Sequence, residues 1–426
     1  MLKATNTEIV KALNNNTSSA VYSSFTREDL ADINSVYDNI MQNRTLRNDF
    51  VNSLVTQIGF ISVNKMLFEN ELAELKKAPM RYGQTEQEIF VNMVEDSDYD
   101  FFADEKEIFQ LYKSNIMTAF HDVNFRKKWA VTISYDELRN AFRDEYGLQS
   151  LINAKLDVLY SSASYKEYLM TKNLLTQGYE HGCIYPIEVP EPSTESNIKE
   201  MLIMIRSTID TLRFPNPKYN YAGSDATAQP SDLVFITTPD INARIDVNAL
   251  AYAFNMSKAE VSTRTIIVDT LPSNVYGFIT DVRFFNIREQ HREFAENYRG
   301  DNLRWNFFYH LWEMFSISPF RPCVVFTSNP ITGNEITISG SDSITRDSQT
   351  VYKAEISDSN STEGAIIPQA IDWELVGTVT GNTTGFVPGS GILIVDKNET
   401  ATTITIKATS RYNTAVSTTK QITVTV

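Results

Sequence analysis

The chain has 426 residues, 42% of them apolar and 21% charged, with a formal charge of −15 and two cysteines. That length supports two or three domains with a substantial core, and no apolar run reaches the roughly 18–20 residues with which a helix crosses a bilayer. The acidic charge is spread along the chain without a basic face, which argues against nucleic-acid affinity. The distant Cys183 and Cys323 and the four scattered histidines argue against a disulfide framework or a zinc site.

The N-terminal stretch "MLKATNTEIVKALNNNTSSA" has no apolar signal-peptide core, so the expected place of synthesis and folding is a cytoplasm. The first 50 residues are rich in Asn, Ser and Thr and read as an arm that lies against something else. "NDFVNSLVTQIGF" then sets Phe50, Leu54, Val55 and Ile58 at helical spacing, ended by Gly59. Residues 61–94 read as extended segments around a charged excursion punctuated by Pro79 and Gly83, and loops of that length usually reach a neighbour or carry function.

From Ser134 the pattern becomes helical. "SYDE" is a capping box with Ser134 as N-cap and Glu137 three residues on, and Leu138, Phe142, Ile152, Leu156 and Leu159 track one face as far as Leu174 and Leu175. A break is expected at Gly147 and the end near Gly178 and Gly182; even the part after Gly147 makes a spar about 45 Å long. Residues 183–330 alternate. "ESNIKEMLIMIRSTIDTL" is a helix with Ile198, Leu202, Ile205, Ile209 and Leu212 inward, "INARIDVNALAYAFNM" is helical, and "IYPIEV", "DLVFITT", "TRTIIVDTL" and "YGFITDVRFFNI" are extended. "NLRWNFFYHLWEMFSISPFRPCVVF" is a strand-like aromatic segment with bulky residues on both faces. It predicts burial on both sides, with His310 as a hydrogen-bonded core residue. After Pro330, Thr supplies 19 of the last 96 residues and short alternating runs are separated by Gly, Asn and Ser turns, the pattern of an all-β sandwich.

The chemistry-bearing candidates are few. In "EDSDYDFFADEKE", Asp96, Asp98, Asp100, Asp104 and Glu107 fall at positions 1, 3, 5, 9 and 12 of a loop, the side-chain ligand positions of an EF-hand. Position 6 requires glycine for its sharp turn and holds Phe101, position 8 holds Ala103, and no second acidic loop exists, so the stretch reads as a solvated or interface acidic patch. No GxSxG, HExxH or GxxxxGK[ST] pattern occurs, and neither a nucleophile nor a cofactor is indicated. His291, in "REQHREFAENYRG", reads as a surface residue.

Four blocks, "NDFVNSLVTQIGF", "YGQTEQEIF", "IDVNALAYAFNM" and "WNFFYHLWEMFSIS", together with the order arm, excursion, spar, α/β unit and return strand, resemble the major head protein of phi 29-like short-tailed phages, which has the Hong Kong 97 capsid fold. "DWELVG", "GSGILIV" and "ITIKATS" resemble a bacterial immunoglobulin-like domain of group 2. The resemblance implies an α+β capsid domain over 1–330, with an N-arm (1–47), an E-loop over a neighbouring subunit (61–94), a spine-helix region (134–180), an axial domain (190–300) and a return to the peripheral domain (305–327). Residues 331–426 would form the immunoglobulin-like sandwich, with Trp373 in its core.

Lys76, Lys77, Arg81, Glu86 and Glu88 of the loop become candidates for inter-subunit contact. The implied function is a non-enzymatic shell subunit, without cofactor or covalent Lys–Asn link, that assembles in the host cytoplasm into pentamers and hexamers. The implied partners are further copies, a scaffolding protein and a portal or connector, and the shell would enclose double-stranded DNA without reading its sequence and without a membrane. Two alternatives of other classes are a phage-tail or cell-surface adhesin, suggested by the β-module, and a hydrolase using the carboxylates of 95–107.

Overall fold

A computed structural model describes residues 47–48, 68–94, 115–143, 147–245, 264–359 and 364–425. The arm before residue 47, most of the block 48–60, the acidic stretch 95–107 and most of "IDVNALAYAFNM" lie outside the described residues. The architecture is α+β. A short 3-10 turn (Ala73–Leu75) precedes a ribbon of β1 (Glu86–Val91) and β2 (Ile116–His121); β3 (Phe125–Ser134), α1 (Tyr135–Arg143) and α2 (Gly147–Glu180) follow. Next come β4 (Tyr185–Glu188), α3 (Glu195–Thr211), β5 (Leu233–Thr237), a helical stretch over 239–245, β6 (Arg264–Ile267), β7 (Val275–Asp281), β8 (Phe285–Arg299), β9 (Arg304–Ile317) and β10 (Cys323–Thr327).

The capping box forms: the backbone N–H of Ser134 donates to Glu137 Oε2 at 2.9 Å and that of Glu137 donates to Ser134 Oγ at 3.2 Å, satisfying two donors that the first turn of α1 leaves free. The helix then restarts at Gly147, where a Cβ would stand 2.2 Å from the carbonyl oxygen of Ala141, so only glycine permits the approach. At 34 residues α2 is about 51 Å long. The side chains of Ile152 and Leu156 are outside the described set.

Two sheets hang on this helix. The antiparallel sheet β3-β9-β8 lays Tyr309 and Leu311 against Leu159 and Ala163 of α2. The mixed five-stranded sheet β4-β10-β7-β5-β6 is covered on both faces. Val234, Ile236, Phe278 and Val325 meet Leu175 and Tyr179 of α2, while Leu233, Phe235, Ile279 and Phe326 meet Met201, Ile205 and Ile209 of α3. Burial on both faces explains why these strands read as unbroken apolar runs. Thus β8 already belongs to the sheet of β9, and β10 to the five-stranded sheet.

The open face of β3-β9-β8 differs from the expectation. Trp305, Phe307, Tyr309 and Leu311 are buried, but Phe308, His310 and Trp312 are only half-buried, because among the described residues α2 packs on one face of the sheet and no helix packs on the other.

The described residues of 335–425 are all-β. The four-stranded sheet is β12 (Ser343–Thr345), β19 (Ser417–Thr425), β18 (Thr403–Ser410) and β15 (Ile371–Val376) in spatial order; the three-stranded sheet is β13 (Ser348–Val351), β17 (Ile392–Val395) and β16 (Gly385–Phe386). They share one core of Ile344, Leu393, Val395, Ile404, Ile406, Ile422 and Val424, beside the pair β11 (Glu335–Ser339) and β14 (Lys353–Ser357).

Candidate inter-subunit surfaces

The five charged loop residues named from the sequence follow a firmly anchored turn, in which Leu72 and Leu75 are buried in the main core. That anchor brings Lys76 to a junction of three elements. Its Nζ stands 2.7 Å from Glu167 of α2 and 3.5 Å from Glu289 of β8, and it also pairs with Glu313 of β9. Glu313 is fully buried, and its Oε2 has no hydrogen-bond partner among the described residues. Burial, reinforced by the neighbouring Glu167, pushes the Glu313 pKa up to about 9, so the acid stays protonated at neutral pH. Burial also works against the charge of Lys76, but Glu313 and Glu167 outweigh it and raise the lysine pKa above its ordinary value. One retained proton relieves the excess of carboxylates around a single ammonium.

The next four residues divide. Lys77 reaches Asn286 Oδ1 at 3.2 Å, and burial lowers its pKa. Glu86 holds Arg288 in a two-point pair at 2.6 and 3.0 Å. Glu88 accepts from Ser318 Oγ at 2.8 Å and lies 3.3 Å from His121 Nε2; burial would raise its pKa, but these hydrogen bonds hold it below the ordinary range. Only the side chain of Arg81 stands exposed, at the loop tip where Gly83 takes a φ of +76°. Lys76, Lys77, Glu86 and Glu88 are therefore engaged within their own chain.

Ser316 Oγ lies 2.9 Å from His121 Nδ1, so Ser316, His121 and Glu88 form a chain of the kind a hydrolase uses. Here the hydroxyl also lies 3.3 Å from the carbonyl of Asn286, and His121 is buried under the ribbon. The chain pins β1 and β2 to β9. The outer face of the ribbon presents Ile89, Val91, Ile116 and Phe120, between 46% and 73% exposed, beside the polar Gln87 and Thr118.

In the β-module, Trp373 is half-buried at the edge of the core and lies 5.2 Å from Phe386. The module is seated on the body. Arg411 Nη1 donates to the carbonyls of Asn220 and Tyr221 at 2.9 Å each, the backbone N–H of Gln369 donates to the carbonyl of Gly182 at 2.9 Å, and Ile366 joins the main core. The sequence pattern singles out neither Arg411 nor the carboxylates Glu167, Glu289 and Glu313 that surround Lys76. A glutamate inside the aromatic run "FFYHLWEMF" was the one available signal for the cluster. Among the described residues no group of three His, Cys, Asp or Glu is placed to hold a metal, and no helix is long and apolar enough to cross a membrane.

The family model for Phi29-like phage major capsid proteins matches residues 9–327. The chain belongs to that family. The major capsid protein of Bacillus phage PZA is 27% identical over 94% of this chain and 89% of its own length, and that of Bacillus phage B103 is 29% identical over 88% and 83%. A chain from the structure of head fiber and inner core protein gp22 of native bacteriophage P68 shares the fold, with a TM-score of 0.51 at 13% identity over 63% of this chain and 89% of that chain. This major capsid protein is thus a structural subunit of the phage head shell, a virion component and not an enzyme. The Ser316–His121–Glu88 chain takes its meaning from that: it holds a ribbon in place.

Proposed function

We propose that this capsid protein assembles, with a scaffolding protein and around a portal or connector, into an icosahedral or prolate shell of pentamers and hexamers that encloses double-stranded DNA. The observation that carries the reading is α2, one 34-residue helix serving as the common support of the β3-β9-β8 sheet and the five-stranded sheet. Such a subunit presents wide flanks to its neighbours, and its arm and E-loop (61–94) add contact area beyond a standard patch of roughly 800 Å² per partner. Arg81 at the loop tip and the outer face of the β1–β2 ribbon are surfaces suited to such contacts.

Residues 331–426 act as an immunoglobulin-like module in the same shell; the core shared by their two sheets supports this, with Trp373 at its edge. The acidic residues 95–107 serve as contact or solvated groups, and isothermal titration with calcium is expected to show no site-specific heat. The net charge of −15 keeps packaged duplex from adhering to the wall. Electron microscopy of the protein expressed with its phage scaffold tests the assembly reading. Closed shells of tens of nanometres support it, whereas monomers or small rings under assembly conditions would overturn it.

A further inference from the structure

The open face of the β3-β9-β8 sheet is unlike the rest of this acidic molecule. In one cross-strand row Arg126, Trp312 and His291 lie side by side, and in the next Lys128, His310 and Glu293. The guanidinium of Arg126 sits 4.9 Å from the Trp312 ring centroid and the Lys128 ammonium 5.4 Å from that of Phe308. Both cations are exposed, and neither pairs with a carboxylate among the described residues. Tyr82, 67% exposed, lies 5.7 Å from Trp312 and widens the aromatic surface. Cations held over aromatic rings, with Glu293 of this face engaged by His291 at 3.0 Å, form a surface ready for an anionic, aromatic-bearing partner.

We infer that this face receives a second copy of the chain through its acidic stretch 95–107, a contact that rests on the shell-forming reading above. Three observations choose this occupant. The family builds its shells from many copies of one chain. The densest run of negative charge in the sequence is 95–107, with seven carboxylates against one lysine, and within it Asp98, Tyr99, Asp100 and Phe101 alternate acid with aromatic. That alternation matches the alternation of cation and ring on the sheet. Nucleic acid fits less well, because two free cations on a subunit of charge −15 neutralise few phosphates and Glu293 stands in the same face.

The test uses full-length protein in which Cys183 and Cys323 are replaced by serine. One population carries Asp98→Cys and a second carries Lys128→Cys; they are co-assembled with scaffold and treated with a mild oxidant. Disulfide-linked dimers between the two populations are expected. Their absence from well-formed shells would overturn the contact, as would a chain carrying both cysteines that cross-links only within itself. In parallel, Arg126→Glu with Lys128→Glu should lower shell yield at least tenfold while leaving the melting temperature of the free subunit unchanged. Mixing with subunits carrying Asp96→Lys, Asp98→Lys and Asp100→Lys should restore it. Undiminished shell yield from the charge-reversed face would sink the inference even with wild-type shells in hand, whereas failure of the wild type itself to form shells would sink the assembly reading. Low-salt binding of a short duplex that the charge reversal abolishes would assign the face to nucleic acid instead.

Discussion

Glu313 and Glu399 are both fully buried, and their surroundings move their proton affinities in opposite directions. Burial beside Glu167 raises Glu313, so the native state binds a proton that the unfolded chain has released above about pH 4.5. Its effect on stability is therefore most favourable below that pH and is lost as pH rises towards about 9. Thermal unfolding of unassembled subunits between pH 6 and pH 9 should show a falling melting temperature, and Glu313→Gln should flatten that slope; an unchanged slope would show that the proton sits elsewhere. Burial opposes the charge of Glu399 too, but donors from Thr380, Gly381, Thr384, Thr400 and Ala401 surround it and hold its pKa well below the carboxylate range. Its contribution is present above the unfolded value near 4.5 and disappears only as pH falls through the much lower native value. Glu399→Gln turns an amide N–H₂ towards some of those donors. At the ~1.5–3 kcal/mol of a charge-assisted hydrogen bond, the β-module should lose about 2–3 kcal/mol in urea unfolding at pH 7. No change there would mean that water replaces the lost acceptor.

Helix starts are where a short sequence motif carried the most information. The Ser134–Glu137 box was legible because its partners lie three residues apart, and Ser134→Ala should cost about 1 kcal/mol in denaturant unfolding. A loss below a few tenths would show that the tie of Lys155 to Glu137 and to the Thr132 carbonyl already holds the α1 start. The inward face of α3 was equally readable, since Ile198, Ile205 and Ile209 repeat at helical spacing and are buried. The second half of β8 was not. "REQHREFAENYR" has no apolar alternation of its own, and it is a strand because the aromatic β9 offers it a ladder from Phe285 to Arg299, shifted in register by a bulge at Gln290. The β1–β2 ribbon was hidden for a related reason: Val91 pairs with Ile116 across a long intervening segment. His310 departs from the expectation because a run of aromatics on both faces reads as two-sided burial, whereas among the described residues α2 packs on one face and His310 on the other is half-buried.

At the scale of the whole molecule, the α+β body could be read from the order of its elements, but the seat of the β-module on that body could not, because it depends on single atoms far apart in sequence. Arg411 in the β-module reaches the carbonyls of Asn220 and Tyr221 in the body, and Tyr412 packs 5.4 Å from Tyr185. Gly182, just past the end of α2, takes a φ of +65°, and a Cβ there would stand 2.1 Å from the carbonyl oxygen of Ile367. The module is thereby fitted against the end of the helix that carries both sheets. Arg411→Ala leaves Asp372 solvated, so its cost falls on the two carbonyls that lose their donor, about 1–3 kcal/mol each where they stay out of water. Gly182→Ala adds a clash at the same junction by a different route. Both variants should keep the melting of the isolated folds intact yet speed proteolytic cleavage in the connection at 328–334, releasing a fragment of the size of the β-module. If both resist cleavage as the wild type does, the seat is held by the apolar contact of Ile366 with the main core, and Ile366→Ala becomes the variant that should release it.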